Sequence, residues 1–274
     1  MQKTTIGGIE LVALVDTTQP YAATMTYPDL SDPSRFARHL DNEGRITLNF
    51  GCFLLRDGET LLLVDTGWGP EYQGRLLAEL AEAGVKPGQV THVLFTHLHG
   101  DHTGWNIDRA SGRPIFSSAK YLVPQKDWDH FGRIETPEGG RPSPVSGSFE
   151  RDVRPLEGFG CLELIDGEHV ISGALTAVPT PGHTPGHTSV AIVSGQARGF
   201  ILGDVVISGI DAEEPDLESV FDGDRPLAVK TRKRVVNELI ENGALVGASH
   251  LPAPGLGHFV RVDGRQGWQG WQGI

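Results

Sequence analysis

Residues 96–102 run Thr96-His97-Leu98-His99-Gly100-Asp101-His102, which gathers three imidazoles and a carboxylate within six positions. Neutral imidazole is the commonest metal ligand, and a carboxylate adds the hard oxygen that divalent ions also accept. His97, His99, Asp101 and His102 are therefore candidate metal ligands. In a regular strand successive side chains point to opposite faces, so the four converge only if the chain turns at a strand end. One such run cannot complete two coordination shells, and further ligands are expected at the ends of later strands. Three residues meet that expectation: His183 within 180–187, Asp204 after 200–203, and His250 after 244–249. Pro181, Gly182, Pro185 and Gly186 give the His183 segment a tight, pre-shaped loop.

The elements that must position these residues follow from hydrophobic periodicity. The apolar run 90–95 predicts a strand whose carboxyl end releases the histidine run, where sites in α/β sheets lie. Upstream, 11–15, 46–55 and 60–64 read as strands, the last two forming a hairpin around Asp57 and Gly58. From Pro70, Leu76, Leu77, Leu80 and Ala81 recur at helical spacing, with Gly84 placed to end the helix. Residues 121–123 and 161–165 predict strands on either side of an exposed Gly- and Pro-rich loop at 136–147. Strands at 174–178, 188–193, 200–202 and 244–248 complete the pattern, with a turn at 194–196. A helix is expected over 226–241, with Asp224 as N-cap and Gly243 just past its end. The polar stretch before Arg45, punctuated by Pro20, Pro28 and Pro33 and carrying Tyr21, Tyr27 and Phe36, is a candidate flap. Two strand-rich halves with helices predict an α/β fold, with sheet packed on sheet or another α/β layout, read as a single domain over 1–274.

Composition narrows the partners. The 274 residues are 38% hydrophobic and 21% charged, ordinary for a globular chain. A formal charge of −12 argues against nucleic-acid binding, which needs clustered Lys and Arg. The dense basic stretch 230–234 reads as the solvated face of a helix. Cys52 and Cys161 form no CxxC pattern, so neither a thiolate zinc site nor a disulfide framework is expected. No apolar run approaches a membrane span, and 1–10 lack a signal-like apolar segment, so a soluble cytoplasmic protein is expected. A small-molecule substrate is the expected partner, with no nucleic acid and no membrane; a homodimer stays open.

The order HxHxDH, a His in a PGHT loop, an Asp after Gly at a strand end, and a final His resembles the metallo-β-lactamase superfamily. All seven positions match between residues 97 and 250. The resemblance implies an αββα sandwich, two mixed β-sheets packed face to face with helices outside. It implies a site for two divalent ions, zinc foremost, with manganese, iron or cobalt also suited to the donors. One ion would take His97, His99 and His183, the other Asp101, His102 and His250, with Asp204 bridging. His187 would support a ligand or pack rather than bind, and Asp65 in Val64-Asp65-Thr66-Gly67 would orient a ligand histidine or cap the turn ahead of Gly67.

The chemistry implied is hydrolysis by a hydroxide shared between two ions, with Asp101 passing the proton to the leaving group. Oxygen-reducing relatives typically carry Glu where this chain has His99, which favours hydrolysis over redox chemistry. The flap, the continuation Thr103-Gly104-Trp105-Asn106 and the segment 249–258 look most like quorum-quenching lactonases and methyl-parathion-hydrolase-like enzymes. Val205, Val206 and Ile207 stand where many such lactonases place a Tyr. The expected activity is therefore lactone or carboxylic ester cleavage, with phosphotriesterase side activity. The alternatives are an organophosphate hydrolase and a non-hydrolytic metal-binding or redox member. Trp68, Trp105, His258 and the flap aromatics Tyr21, Tyr27 and Phe36 are candidate substrate contacts.

Overall fold

The computed structural model describes residues 1–133 and 149–272; the loop expected at 136–147 lies outside the described residues. Within them the strands form two seven-stranded sheets, each ordered in space as along the chain. The first holds β1 (Gln2–Ile6), β2 (Ile9–Ala22), β3 (Arg45–Asp57), β4 (Thr60–Val64), β5 (His92–Leu94), β6 (Lys120–Pro124) and β7 (Leu162–Ile165). β1 to β4 pair antiparallel and β4 to β7 parallel. The second holds β8 (His169–Val170), β9 (Leu175–Pro179), β10 (Thr188–Ser194), β11 (Ala197–Ile201), β12 (Leu245–Gly247), β13 (Leu256–Val262) and β14 (Arg265–Gly270). Of these neighbours, β11 and β12 are the parallel pair.

Alternate residues of the central strands fill two different cores, which is why those strands are apolar almost throughout. Leu62 and Val64 of β4 meet Ile201 and Leu175 between the sheets, while Leu61 and Leu63 face the opposite way. That outer face is covered by α2 (Leu76–Glu82) and by Phe131 of α4 (Gln125–Phe131), the short α1 (Ala23–Thr26) and α3 (Gly100–Thr103) lying elsewhere. Beyond α5 (Gly209–Glu213), the long α6 (Arg225–Asn242) packs Val235, Val236 and Leu239 on Val246 and Phe259 of the second sheet. Helix, sheet, sheet, helix is the αββα sandwich expected. Each fully buried Leu or Val side chain contributes about 1.5–3 kcal/mol. No helix among the described residues is long and apolar enough to cross a membrane.

Three departures from expectation have local causes. β2 runs to Ala22 rather than stopping near Val15, straight through Pro20. β1 pairs only as far as Ala13, so Pro20 faces no second neighbour and its missing N–H costs no ladder bond. A register shift between Val15 and Thr17 leaves Asp16 as an extra residue in the ladder. α2 begins at Leu76 rather than Pro70, whose turn Pro70–Tyr72 is a separate 3-10 element. The basic stretch 230–234 is not a uniformly solvated face: Lys230, Lys233 and Arg234 are exposed, but Arg232 is 0% exposed. By contrast α6 starts as expected, Leu227 N–H donating to Asp224 at 3.1 Å, and ends at left-handed Gly243.

Candidate metal centre

Every candidate ligand leaves the carboxyl end of a strand or the turn that follows it. His97 and His99 follow β5, Asp101 and His102 sit in α3, His183 lies between β9 and β10, and Asp204 and His250 follow β11 and β12. The approach to Asp204 is crowded. Gly203 has φ +60°, and a Cβ there would lie 2.6 Å from His187 Nε2 and 2.9 Å from Thr96 Cβ. Only glycine passes at this point.

The side chains converge as two sets. His99 Nδ1 lies 2.9 Å from His97 Nε2 and 3.0 Å from His183 Nε2. In the second set Asp101 Oδ2 is 3.4 Å from both His102 Nε2 and His250 Nε2. Asp204 faces both: Oδ2 is 3.3 Å from His183 and 3.0 Å from His250, and Oδ1 is 3.4 Å from His102. Ligands 2.0–2.1 Å from a tetrahedral ion stand about 3.3 Å apart, close to these spacings. His102 Nε2 and Asp204 Oδ1 are buried without a hydrogen-bond partner, which a bound cation between them would satisfy. The donor chemistry and spacing fit two divalent ions.

Neighbouring acceptors choose which ring nitrogen is left free. His250 Nδ1 donates to the Asn49 carbonyl at 2.7 Å, and His102 Nδ1 lies 2.8 Å from Asp65. Thr96 gives its hydroxyl proton to Asp65 at 2.8 Å, so it accepts from His97 Nδ1 at 3.1 Å. Nε2 of all three rings is thereby left for an ion. Asp65 holds a left-handed φ of 61°, and this strained backbone is where its carboxylate also takes the Thr96 amide at 2.8 Å. His187 Nε2 accepts from the Asp204 amide at 2.9 Å and its Nδ1 faces Thr180, so both ring nitrogens are engaged away from the ligand sets.

Electrostatics divides the sets in the same way. Burial, reinforced by His102, holds His97 well below the usual imidazole range; burial and His183 push His99 down to about 3. Burial would also lower His102 and His250, yet Asp204 and Asp101 override it and raise both. Burial would raise Asp204, but His250 and His102 draw it well below the carboxylate range. Asp101 follows the same pattern: burial opposes, His102 and His250 prevail, and its pKa is lowered.

His99, Asp101, His183, Asp204 and His250 from the two sets form the floor of a cavity of about 230 Å³ whose apolar wall is Tyr21, Leu48, Phe50, Trp68, Ile207 and Phe221. Trp68 and, among the flap aromatics, Tyr21 are thus where substrate contacts were expected. The other candidates are elsewhere. Trp105 is turned away because its indole N–H donates to Asp16 at 2.8 Å. Phe36 is buried in the apolar cluster that also holds Tyr27, Leu30, Phe50 and Trp68, outside the cavity lining. His258 donates to the Ala244 carbonyl at 2.8 Å and stacks near Trp271. Phe50, Leu48 and Phe221 were not singled out in the sequence; the strand expected over 46–55 held the first two, but nothing in its alternation marks the face that meets the cavity.

The family model described as the metallo-beta-lactamase superfamily matches residues 52–250, well over half of the chain. The chain belongs to that superfamily. The chain is similar to the uncharacterized protein YobT of Bacillus subtilis, 29% identical over 169 residues that cover 58% of this chain and 65% of YobT. The chain therefore spans just under two thirds of that relative. An N-acyl homoserine lactonase of a Bacillus species is 23% identical over 222 residues, 73% of this chain and 80% of the lactonase. Among solved superfamily-like structures, AidC, a dizinc quorum-quenching lactonase in complex with a product, shares the fold with a TM-score of 0.83 and 23% identity over 100% of this chain and 98% of AidC. The hydrolase AbOPH aligns with a TM-score of 0.84 and 23% identity over 99% of this chain and 97% of its own.

Proposed function

We propose that this protein is a dinuclear metal hydrolase that opens a lactone or cleaves a carboxylic ester bearing a compact apolar group, with zinc as the ion. The observation that carries the reading is the convergence of two ligand sets, shared through Asp204, on the floor of an apolar cavity. The likeness to N-acyl homoserine lactonases and to dizinc AidC supports it.

Divalent ions in these sets supply a Lewis acid for the substrate's carbonyl oxygen and lower the pKa of water toward neutrality. The chain's own groups do the rest. Phe50, Trp68 and Phe221 take the apolar part of the substrate and exclude water from the floor. Asp65, the Asn49 carbonyl and Thr96 hold the rings of His102, His250 and His97, so that the floor is rigid before substrate arrives. Asp101 is the least buried of the seven ligand candidates, with a side chain 15% exposed, whereas Asp204 is 4% exposed. Asp101 is therefore assigned the proton transfer: its carboxylate takes a proton from water at the floor and returns it to the leaving oxygen. Phosphotriester turnover would be a side activity of the same floor.

The test is hydrolysis of a lactone series, aryl esters and a phosphotriester by protein stripped with a chelator and reloaded with zinc. Lactone or ester turnover that disappears on stripping and returns on reloading is expected. Zinc-loaded protein that turns over none of the three classes overturns the reading.

A further inference from the structure

Behind His183 lies a buried ionic pair that the reaction scheme above does not use. Asp222 Oδ1 is 3.0 Å from His183 Nδ1, and Asp222 Oδ2 accepts from Arg232 Nη2 at 2.9 Å. The side chains of Asp222 and Arg232 are both 0% exposed. Arg232 also donates from Nε to the Val205 carbonyl at 3.0 Å and from Nη1 to the Leu217 carbonyl at 2.7 Å, with Asp211 3.5 Å from its Nε. Val205 directly follows Asp204. One guanidinium on α6 therefore grips the backbone beside the bridging carboxylate and, through Asp222, the ring of a ligand histidine.

Stability alone is a poor reason for this arrangement. Desolvating an ion pair costs several kcal/mol per ion, and well-packed apolar residues of similar volume often serve as well or better. What an apolar pair could not do is present an acceptor to His183 Nδ1. We infer that Asp222 and Arg232 are positioning residues that fix the His183 tautomer and aim its Nε2 at the ion shared with His97 and His99. The inference rests on the dinuclear reading. It turns on acceptor count. Asp222 accepts from both sides, from His183 Nδ1–H and from Arg232 Nη2–H, and a carboxylate can do so. A carboxamide has one acceptor oxygen and one donor NH2. Arg232 has no acceptor and holds that oxygen, so the NH2 turns to His183 Nδ1, the ring proton moves to Nε2, and the ligand lone pair is lost.

The experiment titrates zinc into 15N-histidine-labelled wild type, Asp222→Asn, and the double variant Asp222→Asn with Arg232→Met, reading which histidines shift. Asp222→Asn is expected to bind the ion of His97, His99 and His183 about 10–100-fold more weakly, with the other set unchanged. The double variant frees the amide oxygen to face His183 and is expected to regain part of that affinity, which removal of a merely structural residue would not do. Equal weakening at both sets, no weakening, or a double variant weaker than the single overturns the inference. A wild type that binds no zinc overturns the dinuclear reading instead. If the variants do not fold, zinc-loaded wild type decides: a His183 Nδ1 proton protected from solvent exchange supports the inference, and one exchanging like an exposed ring proton overturns it.

Discussion

Five imidazoles and two carboxylates point at one another here because each neighbouring group is spent on the far side of a ring rather than on the near one. Asp65 on His102 and the Asn49 carbonyl on His250 occupy the far ring nitrogens and turn each Nε2 toward Asp101 and Asp204, where a cation can take the place of a ring proton. Asp101→Asn in zinc-saturated protein is expected to lower turnover about 10²–10⁴-fold, the usual worth of a positioned proton-transfer group, with a melting temperature near wild type. Steady-state kinetics alongside thermal melting checks this, and wild-type-like turnover would remove Asp101 from its role. The ligand candidates were legible in the sequence because their chemistry is local: His97 to His102 are one run, and Gly or Pro residues mark the turns at His183 and Asp204. Substrate contacts were not, because an aromatic side chain's direction is set from a distance. Trp105 is claimed by Asp16, 89 positions away.

At the scale of elements, the extra residue in β2 organises one side of the cavity. Asp16 accepts from Trp68 N–H at 2.8 Å, Leu76 N–H at 2.9 Å and the Trp105 indole, fixing the loop that carries Trp68 and satisfying the start of α2. Removing it orphans buried donors at about 1–3 kcal/mol each, so Asp16→Ala is expected to cost roughly 3–5 kcal/mol, read from the urea midpoint. The other side is the flap, whose turn Pro33–His39 is tied to α5 by Arg35 on Glu214 and by Arg38 and His39 on Glu213. Burial would raise Glu213, but Arg38 and His39 lower it below the glutamate value. A folded pKa below the unfolded one contributes stability above the unfolded value near 4.3 and loses it as pH falls through the folded value. Flap amides 33–39 are therefore expected to lose exchange protection as pH drops below about 4, while Glu213→Gln should weaken that protection at neutral pH and remove its pH dependence; protection that is unchanged in the variant contradicts this tie. The flap's existence was legible from its prolines, but not the ribbon of β2 on β3 that carries it, since Pro20 is admissible only because its outer edge is unpaired.

For the whole molecule, the metal centre straddles the two sheets. Each set draws residues from both: His97 and His99 follow the first sheet and His183 the second, just as Asp101 and His102 follow the first while Asp204 and His250 follow the second. Ions held there bind only the assembled sandwich, so they stabilise it by mass action, about 2.7 kcal/mol at a free concentration one hundred times Kd. Chelation is accordingly expected to lower the melting temperature, and a melting temperature that zinc does not move would contradict binding to the folded form. The layering was legible where strands are buried on both faces, as in β4, whose residues 61–64 are all apolar. The hairpin of β13 and β14 was not, because Arg261, Arg265, Gln266 and Gln269 leave its outer stretch without apolar alternation. The most direct test of the account is anomalous diffraction at the zinc edge from crystals grown with zinc. Two peaks about 3.5–4 Å apart on either side of Asp204, one among His97, His99 and His183 and one among Asp101, His102 and His250, are expected. A single peak, or peaks away from Asp204, would contradict it.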